Sequence, residues 1–332
     1  MVLYYNGKNC KRNCKICLEH CKWCYSGIVN IFSLLSVWCR AIIPSMNLKV
    51  FDKNQYKVAA FDLDGTLLCP REQIHKPVRD TLTDLKKSGV ITVVATGRDE
   101  LQVPPDLKEC FSYAVTANGG CVSEPATGRL IAGHPFSKEL LLETMNTLKA
   151  MTGECILFRR GSMPGSPAAL KMLFVKYPPG TKSVIPPKSG PLPGRPCPFP
   201  FMRALAWYSP FPVYKIKCYF RDASRLEEAY ETMKADSRLT TILMDGEDLE
   251  ITLAGISKAS AIAELCEGLQ LTMDNVAAFG DSDNDSEMLK AAGYAVVMGN
   301  GEDCVKPLAD YLAPDVYEDG AATAIRELYQ LY

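Results

Sequence analysis

The sequence predicts an α/β fold: a doubly wound parallel sheet with an α+β domain inserted into it. Three observations predict this. From Tyr56 onward, apolar strand-like runs alternate with helix-period segments. Near residue 134 the pattern changes to short alternating strands, and near Ile251 it changes back. Four of the apolar runs end on reactive side chains, which is where ligands sit in open α/β sheets.

The first run, 57–61 in KVAAFDLDGTLL, reads as a buried strand ending at Asp62, with Asp64 two residues on. A helix over 77–88 follows. It opens on Pro77, carries Val78, Leu82 and Leu85 on one face, and stops at Gly89. The strand 90–95 in ITVVATGR then ends at Thr96, before Gly97 and Arg98. After a proline-interrupted stretch comes FSYAV, then Asn118-Gly119-Gly120, a turn signal.

The insert, 134–250, predicts a helix over 137–150 and strands at ECILFRR and KMLFVK. A further strand, VYKIKCYF, should set Ile216, Cys218 and Phe220 on one face. A helix over 222–235 and a hairpin at Asp245-Gly246 complete it. Residues 178–212 hold 11 of the chain's 22 prolines, which precludes regular structure, and read as an extended loop. After residue 251 the core resumes, with helices 258–267, 284–292 and 319–331. The core is thus expected at 56–133 and 251–332.

The 332 residues are 47% hydrophobic and 23% charged, the balance of a globular chain with a sizeable core. The net charge of -1 points to neither a nucleic-acid nor a membrane partner. Six of the 14 cysteines crowd into the first 39 residues: Cys10, Cys14, Cys17, Cys21, Cys24 and Cys39. The other eight are scattered without a pairing pattern, which suits reduced thiols and a cytoplasmic location. The apolar run 28–43 is 16 residues long and contains Asn30 and Arg40, short for a membrane span. The cysteine spacing matches patterns seen in iron–sulfur binding, and a small zinc site with His20 is a further reading. The plainer reading, which we adopt, is that Met46 is the natural start and that the residues before it, most of the cysteine-rich extension 1–50, are an over-extended reading of the gene. His20, His75 and His134 form no constellation.

The chemistry follows from residue types. Asp62, Asp64, Asp281 and Asp285 cannot share a pocket as carboxylates without repulsion, and a hard divalent cation with oxygen ligands relieves it. An Asp nucleophile beside Mg²⁺ suits phosphoryl transfer through an aspartyl-phosphate. Lys258 offers fixed positive charge, Thr96 a hydroxyl donor, and Gly65 a sharp turn that brings amides to an anion. Each residue alone has an ordinary structural reading: Asn284 and Asp285 could cap the next helix, and Arg98 could pair with an acidic neighbour.

FDLDGTLL, VVATGR, SKASAI and FGDSDNDSEML, in that order, resemble the haloacid dehalogenase superfamily, specifically its Cof-like phosphatases. The resemblance covers roughly residues 56–332. It implies a Rossmann-like core with a cap over the site, supplied by the insert and selecting the substrate. It implies Asp62 as nucleophile, Asp64 as general acid/base, and Thr96 and Lys258 at the phosphate. Mg²⁺ would be held by Asp62, the Asp64 carbonyl and Asp281, with Asp285 supporting from just outside. Asn284 would touch the substrate phosphate, and Gly65, Gly97, Arg98 and Asn118 would line the substrate site. The sequence departs from the family at Ala259, where glycine is usual. The function so implied is Mg²⁺-dependent hydrolysis of a small phosphorylated metabolite. The alternatives are a phosphomutase of the same superfamily and a catalytically idle regulatory protein.

Overall fold

The computed structural model describes residues 49–69, 74–100, 102–148, 151, 154–159, 172–176, 212–220, 222–244 and 248–331. The cysteine-rich segment, the hairpin turn at 245–246 and nearly all of the Pro-rich stretch lie outside them.

In chain order the first half of the core comprises β1 (Val58–Phe61), α1 (Lys76–Lys87), β2 (Ile91–Ala95), the short α2 (Pro105–Lys108), β3 (Tyr113–Thr116), β4 (Cys121–Glu124) and β5 (Arg129–Gly133). The insert contributes α3 (Lys138–Leu148), β6 (Glu154–Arg159), β7 (Met172–Lys176), β8 (Val213–Tyr219), α4 (Ala223–Lys234), β9 (Leu239–Met244) and β10 (Asp248–Leu253). The chain returns through α5 (Lys258–Gly268), β11 (Val276–Gly280), α6 (Ser286–Ala291), β12 (Tyr294–Val297), β13 (Tyr311–Leu312) and α7 (Gly320–Tyr329).

Among the described residues one sheet has eight strands, in the order β13-β12-β11-β1-β2-β3-β4-β5. Its first six are parallel, with β1 between β11 and β2. β4 and β5 are antiparallel, because the connection after β3 is only the tight turn Ala117–Gly120, too short for a parallel crossover. The central strands β1, β2 and β11 are covered on both faces, which is why they are almost wholly apolar. Ala59 and Phe61 face α1 and α7, among Leu82, Leu85, Phe279 and Ile325. Val58 and Ala60 face α5 and α6, among Ile262, Leu265, Met288 and Leu289.

The second sheet is antiparallel, in the order β7-β6-β8-β10-β9. One of its faces packs on α3 and α4 through Met145, Leu148, Ile216, Cys218, Leu226, Met233 and Ile251. Ile216 and Cys218 face that way together, as the alternation predicts. β10 continues to Leu253, so the junction at 250/251 falls within a strand. From its end only a few residues lead to α5 and Lys258.

Candidate active site

Asp62, Thr96 and Asp281 each follow the last residue of a parallel strand, β1, β2 and β11, so strand pairing gathers them at one edge of the sheet. The Asp62 amide donates to the Phe279 carbonyl (2.9 Å), extending the β1–β11 ladder to the site itself. Gly65 then turns the chain at φ 83°. A Cβ there would lie 2.2 Å from Asp281 Oδ2, so the turn and the carboxylate fit only around glycine. Thr66 follows and donates to Asp281 Oδ1 (2.8 Å).

Lys258 sits in the first turn of α5, which the Ser257/Ser260 capping box starts. A cation at a helix N-terminus opposes the helix dipole, and here three side chains compensate. The Lys258 ammonium donates to Asp62 Oδ1 (2.5 Å) and Asp285 Oδ1 (2.7 Å), with Asn284 Oδ1 at 3.4 Å. Asp285 accepts with its other oxygen from the amides of Asp281 (3.0 Å) and Ser282 (3.2 Å). It therefore both closes the loop before α6 and holds Lys258. Asn284 also accepts from the Ser282 hydroxyl.

The carboxylates of Asp62, Asp281 and Asp285 lie within 4.8 Å of one another. Burial, then the Asp285 charge, pushes the Asp62 carboxyl well above its usual range, with Lys258 pulling the other way. Burial and Asp285 likewise push Asp281 up to about 7. Burial disfavours the Lys258 ammonium, but the Asp285 and Asp62 charges outweigh it and hold it above its ordinary value. One ammonium thus faces three crowded carboxylates. An all-oxygen donor set short of positive charge fits a hard divalent cation.

The other expected site residues fall around this centre. The Asp64 side chain turns outward and is 57% exposed, where Arg98 grips it through Nε (2.8 Å) and Nη2 (2.5 Å). Its carboxylate is therefore not among the three clustered acids, and Asp285, expected just outside, is. Thr96 is buried, and its hydroxyl oxygen accepts from the Arg98 amide (3.1 Å). Asn118 is buried in the left-handed region (φ 56°) and donates to Glu250 Oε2 (2.6 Å). His75 pairs with Asp319 and His134 with Glu264.

Sequence reasoning missed Thr66, Lys215 and Glu250. Lys215 and Glu250 sit on β8 and β10, on the face turned away from α3 and α4, buried and 2.9 Å apart. The Lys215 ammonium also donates to the Gly97 carbonyl. The alternation of VYKIKCYF places Lys215 opposite Ile216, which in isolation reads as solvent-facing. Thr66 adjoins the recognised aspartates, but no spacing marks it as the partner of Asp281.

Residues 59–188 and 202–325 match the model of the haloacid dehalogenase-like hydrolase family. The chain belongs to that family, and within it to the Cof-like phosphatase kind. The Bacillus subtilis (strain 168) 5-amino-6-(5-phospho-D-ribitylamino)uracil phosphatase YcsE is 27% identical over 81% of this chain and 94% of its own. The Escherichia coli (strain K12) pyridoxal phosphate phosphatase YbhA is 24% identical over 81% of this chain and 97% of its own. The fold matches a haloacid dehalogenase-like hydrolase structure from B. subtilis with TM-score 0.68 at 22% identity, over 82% of this chain and 99% of that one.

Proposed function

We propose that the protein hydrolyses a small phosphate monoester, a sugar phosphate or similar metabolite, through an aspartyl-phosphate on Asp62. The observation that carries this reading is the buried Asp62, held by Lys258 beside Asp281 and Asp285 at the carboxyl end of the sheet. Asp62 Oδ attacks phosphorus and the ester P–O bond breaks, while Asp64 gives its proton to the leaving oxygen. Asp64, exposed at the mouth, then takes a proton from water as that water attacks the aspartyl-phosphate. The phosphorus–Asp62 bond breaks, and inorganic phosphate and the free carboxylate result. Lys258 and the Thr96 hydroxyl hold the phosphoryl oxygens, and Asn284 stands beside Lys258 to meet them.

Mg²⁺ would be held by Asp62, Asp281 and the Asp64 carbonyl, with Asp285 alongside. When bound it supplies positive charge that keeps Asp62 ionised and offsets phosphoryl charge. The relatives' substrates, a ribitylamino-uracil phosphate and pyridoxal phosphate, support a small phosphorylated metabolite. We assign the insert, 134–250, to choosing among them as a cap. We place the protein in the cytoplasm, which suits the free thiols of Cys69, Cys110, Cys266 and Cys304. Among the described residues no helix is long and apolar enough to cross a membrane.

The test is hydrolysis of p-nitrophenyl phosphate. Activity should require Mg²⁺, stop in excess chelator, and vanish in a folded Asp62→Asn variant, whose amide is nearly isosteric but a poor nucleophile. Asp62→Asn activity within tenfold of wild type refutes the nucleophile. Full activity in chelator refutes the metal.

A further inference from the structure

We infer that Lys215, from the second sheet, is a positioning residue for the reaction, fixing through the Gly97 carbonyl the loop that carries Thr96 and Arg98. The inference rests on the phosphatase reading above, and it changes the division of labour there: the insert would then support the chemistry as well as choose the substrate.

A lysine buried to 1% exposure is costly unless its ammonium is paired and hydrogen-bonded. A strand that only covered a pocket could carry an apolar residue there. Lys215 instead meets both needs at one place, with Glu250 Oε1 at 2.9 Å and the Gly97 carbonyl accepting from the same Nζ. Glu250 in turn accepts from Asn118 with its other oxygen. Asn118 Oδ1 lies where a Gly97 side chain would begin, 2.6 Å from an ideal Cβ, and Glu250 Oε2 is 3.5 Å from the same point. Gly97 is thus enclosed by Lys215, Glu250 and Asn118 with no room for a side chain.

From the core side the same loop is pinned at its neighbours. The Asn118 amide donates to the Thr96 carbonyl (3.2 Å), and the Ala117 amide to the Arg98 carbonyl (3.0 Å). Thr96 Oγ1 accepts from the Arg98 amide, and the Arg98 guanidinium holds Asp64. A shift at Gly97 therefore moves the hydroxyl proposed for the phosphate and the partner of the proposed acid/base together. A displacement of this kind lowers turnover without abolishing binding.

Lys217 is the matched control. It belongs to the same ionic cluster, at 3.1 Å from Asp248 and 3.2 Å from Glu250, both on β10. Lys215→Met and Lys217→Met are compared with wild type on p-nitrophenyl phosphate, with rates normalised to folded protein. Lys215→Met should lose tenfold or more in kcat with KM changed less than threefold, while Lys217→Met stays within twofold of wild type. Equal kcat for the two variants overturns the inference. If Lys215→Met does not fold, Glu250→Gln takes its place, removing the charge that holds the ammonium over Gly97. It should lose at least threefold in kcat at constant KM, and an unchanged kcat overturns the inference. Hydrogen exchange of the Arg98 amide reads the loop without turnover and should be at least tenfold faster in Lys215→Met, or in Glu250→Gln, than in Lys217→Met. If wild type shows no hydrolysis, the phosphatase reading has failed, and equal exchange rates separately refute Lys215 as the anchor.

Discussion

Replacing Lys258 with methionine keeps an unbranched side chain, one atom shorter, and removes its charge. Asp62 and Asp285, 6% and 0% exposed, then lose an ammonium at 2.5 and 2.7 Å. Removing one partner of a buried ion pair costs about 3–5 kcal/mol, because the remaining charge is stranded. Here one ammonium serves two carboxylates, and Asp62 can relieve its own charge by taking up a proton, so the sum is less than twice that range. We take about 4 kcal/mol, a large part of the roughly 5–15 kcal/mol that holds a typical domain together. At about 2–4 °C per kcal/mol for a chain of this size, the midpoint of thermal unfolding should fall by roughly 8–16 °C. Turnover should fall further than stability implies, by about 10²–10³ in kcat, because a fixed charge is lost where the phosphoryl oxygens would lie. Adding Asp285→Asn removes one stranded charge while keeping an acceptor for the Asp281 and Ser282 amides. The double variant should recover much of the stability and none of the activity. Unfolding followed by circular dichroism in chelator, with p-nitrophenyl phosphate turnover in Mg²⁺, separates the two effects. A Lys258→Met protein melting within 2 °C of wild type, or turning over within fivefold, refutes the reasoning.

Two further outcomes are expected. Burial alone would raise the Glu250 carboxyl, but the Lys215 and Lys217 charges with hydrogen bonds from Lys215 and Asn118 outweigh it and bring it down to about 2, from an ordinary 4.5. A carboxyl depressed on folding contributes stability above its unfolded value, and that contribution is lost as pH falls through the folded one. The stability gap between wild type and Glu250→Gln should therefore be widest above pH 4.5 and narrow towards pH 2, as read by denaturant midpoints across that window; a constant gap contradicts the ionised assignment. Gly65→Ala would add a Cβ 2.2 Å from Asp281 Oδ2 at φ 83°, so the carboxylate must move. The Mg²⁺ concentration for half-maximal activity should rise at least tenfold, with a stability loss on the order of 1–3 kcal/mol for the strained backbone, and an unchanged Mg²⁺ requirement argues against Asp281 at the metal.

The ends of β1, β2 and β11 were legible in the chain itself. A parallel strand covered on both faces is nearly all apolar, so VAAF, ITVVA and VAAFG announce both their strands and the point where polar chemistry begins. Asp62, Thr96 and Asp281 follow at once, which is why local sequence marked them. Lys258 carried little signal by itself, because a lysine early in a helix is usually solvated, and it was the order of the four motifs that marked it. The roles of Asp64 and Arg98 were less legible. They are 34 residues apart, and only the pairing of β1 with β2 brings their loops within reach of an ion pair. Lys215 and Glu250 carried no signal at all. A charged residue alternating with apolar ones in a strand ordinarily faces water, and the same pattern serves when the other face lies against a second layer. Which of these holds depends on what covers that face. Here Gly97 and Asn118 meet it, and they come from a part of the chain more than 95 residues earlier than Lys215. Local periodicity records which side of a strand a residue takes; only the packing of one layer on another decides whether that side is solvent or interior.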